Sequence, residues 1–156
     1  METVIPVKGR VAIDMRAREW CKLSYPNHRH GCPNYGMKKT CPPQAPLVNK
    51  HFDLGKRHWL GIVDFDLEAH VERMREKHPD WTDRQLRCVL YWQGAVNKRL
   101  RELTVRFHKQ NKGTIYTMCP EAMGMHVLKT MRRQGYDIRK NPTEMVYKVS
   151  LIGYPK

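Results

Sequence analysis

The chain has no apolar run approaching the ~20 residues that a membrane-spanning helix needs. Its first ten residues, METVIPVKGR, lack the continuous apolar stretch and small-residue cleavage site of a secretory leader. A cytoplasmic protein with no membrane association is expected. Also missing are the glycine-rich phosphate loop ending in Gly-Lys-Ser/Thr, the Gly-X-Gly-X-X-Gly dinucleotide fingerprint, the Gly-X-Ser-X-Gly elbow and the His-Glu-X-X-His zinc pair. ATP hydrolysis, nicotinamide redox chemistry, serine hydrolysis and zincin proteolysis are therefore not expected. Acidic residues are scarce: 15 Asp and Glu face 29 Lys and Arg, a formal charge of +14. That field attracts polyanions, and it points to nucleic acid or a nucleotide as partner without conferring recognition by itself.

What is present is globular. With 156 residues, 40% apolar and 28% charged, residues 1–156 form one domain that can bury roughly two-thirds of its unfolded surface. No repeat or low-complexity tract interrupts it. The class expected is α/β or α+β: a small compact domain of a few strands, about three helices and a Cys/Pro-rich loop over 21–46, with the core over 59–152.

The strand and helix signals run in one order. Val11 to Ile13 would be a short strand, and WLGIVDF over 59–65 reads as a largely buried one. Leu67 to Lys77 suits a short helix. Thr82 with Gln85 forms a capping-box pattern opening a long helix to about Gln110, its apolar seam made by Leu86, Val89, Val96, Leu100, Leu103 and Phe107. Arg84, Arg87, Lys98, Arg99, Arg101, Arg106 and Lys109 crowd its other faces. Thr114 to Met118 is a strand, Pro120 opens a helix to Gln134 with Met123, Val127 and Met131 inward, and EMVYKVSLI over 144–152 is the closing strand.

Five cysteines is an odd number, unlike a secreted disulfide scaffold, and no disulfides are expected. Cys21, Cys32 and Cys41 are separated by ten and eight residues in a segment with five prolines and two glycines, which excludes a regular element. A loop of that length needs a staple, and three thiolates on a metal would supply one by removing closure entropy from the unfolded chain. The spacing fits no zinc-finger or zinc-ribbon rule. Cys32, Cys41 and Cys119 each precede proline, as the last cysteine of a bacterial ferredoxin run does. An iron–sulfur cluster of the 4Fe–4S type is thus the first cofactor reading and zinc the alternative.

Cys119 is the fourth ligand in this reading, or, if it is not a ligand, a catalytic thiol whose pKa a helix N-terminus would lower. His28, His30, His51 and His58 form the competing ligand set, and Cys88 inside the long helix reads as a packing residue. Lys38 and Lys39 between two of the cysteines would set positive charge beside the metal, and together with Arg84, Arg87, Lys98, Arg99 and Arg101 they form the expected nucleic-acid-binding set.

The stretch Cys32-Pro-Asn-Tyr-Gly-Met-Lys-Lys-Thr-Cys41-Pro-Pro resembles a family of metal-binding proteins of unknown function found in archaea and anaerobic bacteria. Cys21 matches that family's preceding cysteine. Trp59 to Leu67 is similar to its following strand, and Pro120-Glu-Ala-Met-Gly-Met-His-Val127 to its Glu-Ala-hydrophobic-Gly-hydrophobic-Asp-Val segment. The chain departs from the pattern in two places: typical members carry further cysteines before that last segment, where only Cys119 stands here, and His126 replaces an acidic residue. The resemblance implies metal binding of an iron–sulfur kind.

Three functions follow. One is an enzyme or enzyme component in which the cluster acts on a nucleobase or another anionic substrate, with Asp64, Asp66, Glu121 and His126 as the titratable groups nearest in sequence. The second is a non-catalytic module in which a metal staples the loop and the basic helix docks on phosphate, Trp81, Trp92, Tyr35 and Tyr116 being available for base stacking. The third is a subunit of a larger ribonucleoprotein or redox assembly, contacting it through Met123 to Met131.

Overall fold

Runs rich in β-branched and aromatic residues form four strands that lie side by side. In the computed structural model, which describes residues 1–24 and 28–156, they are β1 (Glu2–Pro6), β2 (Trp59–Asp66), β3 (Ile115–Thr117) and β4 (Met145–Gly153). All pairs are antiparallel, in the order β1-β2-β4-β3. Trp59 lies opposite Ile152 and Asp66 opposite Met145, while Glu2 pairs Val63 and Thr117 pairs Leu151. Trp59 to Val63 are all buried because both faces of the sheet are covered.

One face carries Leu60, Ile62, Val149 and Leu151, packed under Val11, Ala45, Val48, Phe52, Met123, Met125, Val127 and Met131. The opposite face meets Val63, Leu67, Val71, Leu86, Trp92, Val96, Leu100 and Leu103. The helices are α1 (Val48–His51), α2 (Leu67–Lys77), α3 (Asp83–Leu86), α4 (Gln93–Gln110) and α5 (Val127–Arg133), with 3-10 segments at Met15–Lys22, Val89–Tyr91 and Pro120–Met123. The mixed class expected from the sequence holds, with more helices than three, and from β2 onward the strand and helix order is the one read from the sequence.

Four local differences have physical causes. The Thr82–Gln85 capping box forms, but the long helix breaks after Leu86: the Arg87 amide closes a turn onto Asp83 and Gln85, and a 3-10 turn follows. That break lets Trp92 stack on Phe65, centroids 4.7 Å apart and 12° between planes, before α4 begins. The helix expected over 120–134 is two pieces, because Gly124 adopts φ 88° between them. Val11 to Ile13 contributes a single bridge, Ile13 to Met125, whereas β1 was not foreseen. Residues 25–27 of the expected cysteine loop lie outside the described residues.

The seam of α4 buries Val96, Leu100, Leu103 and Thr104 against the sheet. Fully burying each aliphatic side chain contributes about 1.5–3 kcal/mol. Gly61 in β2 is required there, since a Cβ would collide with Ser150 Oγ and stand 3.2 Å from Thr104 Oγ1. Those two hydroxyls, both fully buried, satisfy each other at 2.7 Å.

Candidate metal centre

Two short 3-10 segments bring the first and last cysteines of the set to one neighbourhood. Met15–Lys22 starts at Asp14, whose side chain accepts from the Arg16 amide at 3.0 Å. The Arg16 guanidinium beside it holds the Asp14 carboxyl down at about 2. This segment packs on Pro120–Met123. Across the seam the Asp14 amide donates to the Gly124 carbonyl and the His126 amide to that of Ala12, both at 2.8 Å, and Trp20 meets the His126 ring edge-on at 5.1 Å. Cys21 therefore sits at the end of one segment and Cys119 at the start of the other.

The cysteine loop is tied to the same segment by main-chain bonds. The Cys32 amide donates to the Cys21 carbonyl at 2.6 Å. Gly31 makes that approach possible: its φ is +86°, and a Cβ there would lie 2.5 Å from the Lys22 carbonyl carbon and 2.7 Å from its Cα. Those are backbone atoms with no flexible end to yield. Farther along, Arg18 donates to the carbonyls of Pro43 at 2.7 Å and Ala45 at 2.8 Å. The Ala45 amide returns to the Cys41 carbonyl at 2.9 Å, and buried Ala45 and Val48 root the loop in the core. Lys22, paired with Glu19 at 2.6 Å, lies over the Tyr35 ring.

Electrostatics reports the result. Burial pushes the Cys21 thiol up to about 11, and the negative charges of Cys32, Cys41, Glu121 and Cys119 add to the effect in that order. Burial likewise raises Cys119, with Glu121 and Cys41 adding to it while Lys148 and Arg101 oppose. Cys119 is exposed by its accessible surface, yet enough protein crowds its sulfur for desolvation to dominate. Half-buried Glu121 is raised by desolvation, against its own backbone amide and Lys148. The lowered pKa expected for Cys119 at a helix start is thus reversed: the helix is one four-residue 3-10 turn, and a carboxylate stands beside the thiol.

The four sulfurs are electrostatic neighbours without being gathered around one point. Among the described residues, no group of three or more Cys, His, Asp or Glu side chains is placed to hold a metal ion. All five cysteines are free, and no helix among the described residues is long and apolar enough to cross a membrane. Cys88 is buried, as a packing residue would be. His58 is buried with Nδ1 2.9 Å from the Lys56 carbonyl, His51 and His30 are exposed, and His28 is half-buried. Asp66 caps α2, Asp64 pairs with the N-terminal ammonium, and His126 accepts from the Lys129 amide to cap α5.

Of the basic set, Lys38, Lys39, Arg84, Arg87, Lys98 and Arg101 are exposed. Arg99 is engaged instead, donating to Glu2 at 2.7 Å and to the Asp64 carbonyl at 3.2 Å. Arg101 opens a shallow groove of about 600 Å³ along α4 that continues over Glu102, Val105, Arg106, Lys109 and Gln110. Trp92 is core, Trp81 stacks on His78 at 3.9 Å, and Tyr116 packs against His108. Lys148, which acts on both Cys119 and Glu121, was missed. Its signal was its position between Val146 and Ser150 on one face of an otherwise apolar strand.

No family model, curated protein or solved structure matches the chain.

Gly31→Ala tests the junction directly. It should leave the sheet intact by circular dichroism while bound metal falls several-fold, because the Cys32–Cys21 main-chain bond cannot form beside a Cβ. Unchanged metal content in a folded variant would show that this close approach does not build the centre.

Proposed function

We propose that the chain is a metal-binding protein carrying an iron–sulfur cluster of the 4Fe–4S type on Cys21, Cys32 and Cys41, with Cys119 as fourth ligand, and acting on nucleic acid, a nucleobase or another anionic substrate. The observation that carries this reading is that the Cys21 thiol feels Cys32, Cys41 and Cys119 together. Those four residues are spread over 99 positions of sequence, from 21 to 119. The donor chemistry fits, since thiolates are the usual ligands of iron–sulfur clusters. Burial first, and the neighbouring thiols and Glu121 after it, raise the pKa of Cys21, and a bound cation would offset both costs of ionising it. Resemblance over 32–43 to a metal-binding family supports the same assignment.

A bound cluster would supply Lewis-acid or electron-transfer chemistry. The chain's own contribution is charge and protons. Lys148 and Arg101 favour an anion near Cys119. If Cys119 does not ligate, its raised pKa keeps it a protonated thiol at neutral pH, suited to donate a proton rather than attack as a nucleophile. Cys119→Ala separates the two roles. As ligand, its loss should alter the visible spectrum and the iron count. As proton donor, its loss should leave both unchanged and abolish turnover. A variant indistinguishable from the parent in both respects would remove Cys119 from the site.

The second reading, a metal-stapled module that binds nucleic acid without catalysis, rests on the α4 groove. Arg101→Gln/Arg106→Gln/Lys109→Gln should weaken nucleic-acid binding and flatten its salt dependence, by about 0.7–0.9 in log–log slope for each phosphate no longer neutralised. Arg99 is left in place because its ion pair with Glu2 is structural. An unchanged slope with metal retained would count against this reading.

A further inference from the structure

A second polar site lies where the loop after β1 meets the turn before β2. A pocket of about 370 Å³ is lined by Val7, Gly9, Arg10 and the run Leu54–His58. Three cations and a histidine line it, and among the described residues no carboxylate does, Asp53 beside it accepting from the Gly55 amide at 3.1 Å. None of the three cations is neutralised: among the described residues Arg10, Lys56 and Arg57 take part in no ion pair. The Lys56 ammonium lies 5.9 Å from the centre of the Tyr154 ring and the Arg57 guanidinium 5.6 Å from that of Trp59, so both charges are held against aromatic faces rather than by carboxylates. The backbone amides of Gly9, Arg10 and Arg57 also donate to nothing among the described residues.

His58 is the independent observation. It is only 3% exposed, and its Nδ1 lies 2.9 Å from the Lys56 carbonyl. That contact makes Nδ1 the donor and leaves Nε2 as an acceptor, which has no partner. A buried polar atom without a partner costs stability, and in a native chain it calls for a ligand or a role.

We propose that this pocket binds a phosphate group. A compact tetrahedral anion with several acceptor oxygens matches the guanidinium, ammonium and amide donors of the lining residues, and one still carrying a proton adds a donor for the unpartnered His58 imidazole. The phosphate belongs either to a small phosphorylated ligand or to a nucleic-acid backbone. The site stands apart from the cysteine centre, so its test does not depend on metal.

Backbone and His58 ring nitrogen spectra of the intact protein would be recorded during titration with inorganic phosphate, and separately with a short single-stranded oligonucleotide, at constant ionic strength set with chloride. Saturable shifts at Gly9, Arg10, Arg57 and His58 are expected in at least one arm. Shifts with phosphate alone identify a small-molecule site, and shifts only with the oligonucleotide identify a backbone contact. Arg10→Gln/Arg57→Gln should weaken binding by about tenfold or more, as expected for losing two charge-assisted hydrogen bonds. Lys56→Gln serves as a milder second variant should the double one lose the β2–β4 amide pattern. Shifts that never saturate, or equal binding by folded variants, would overturn the proposal.

Discussion

Cys21→Ala should empty the metal centre. Cys21 is the residue on which the other three cysteines act together, and its carbonyl holds the Cys32 amide. On the proposed reading, removing its sulfur takes away a ligand from the segment that packs on Pro120–Met123. Metal and sulfide analysis of the purified variant should fall to background, with any visible absorption lost. Cys88→Ala, at a buried packing position, should keep its metal. Equal metal in the two variants would exclude Cys21 as a ligand. Metal uptake by the parent should also weaken as pH falls, since a thiol raised to about 11 must give up its proton to ligate. In the metal-free protein the same raised pKa has the opposite consequence for folding. Folded Cys21 holds its proton more tightly than the unfolded thiol near 9.0, so stability declines as pH rises from about 9 to about 11.

Leu151→Ala should cause the largest loss of stability. Leu151 is fully buried in β4, opposite Leu60 on one side and Thr117 on the other. It packs in the cluster shared with Phe52, Met125 and Met131. A large-to-small change in such a place costs about 2–5 kcal/mol, the spread depending on how far the site collapses. Urea unfolding should show a lower midpoint at unchanged slope. Leu23→Ala, at a side chain 60% exposed, should stay within about 0.5 kcal/mol of the parent. A small effect for Leu151 would mean that the sheet face is not closed as described.

Much of the fold was legible because its signals are local. The apolar run from Trp59, the capping box at Thr82 and the strand composition that ends in β4 at Gly153 each lie within a few neighbouring residues. The break between Leu86 and Gln93 carries no glycine or proline; it accompanies the stacking of Trp92 on Phe65, a contact between residues far apart in sequence. β1 was hidden by its shortness and by Pro6 at its end. Gly124 splits the last helix because Met125 turns back to bridge Ile13, again a non-local demand.

The candidate site was legible in its residue types and not in its geometry. Cysteines in a proline-rich loop announce themselves, and Cys119 comes within their electrostatic influence where main-chain bonds between Asp14 and Gly124 and between His126 and Ala12 join two distant segments. Sequence spacing cannot supply such a junction. Nor could it show that burial, with Glu121 adding to it, would reverse the expected effect on Cys119, or that Arg99 would be drawn to Glu2.

We propose that the four cysteines bind a cluster. Iron, zinc and acid-labile sulfide content, with a visible absorption spectrum, measured on protein purified without oxygen, tests it most directly. About four irons and matching sulfide per chain, with broad absorption near ~400 nm, is the predicted result. A colourless protein holding one zinc and no sulfide, or no metal at all, would contradict it.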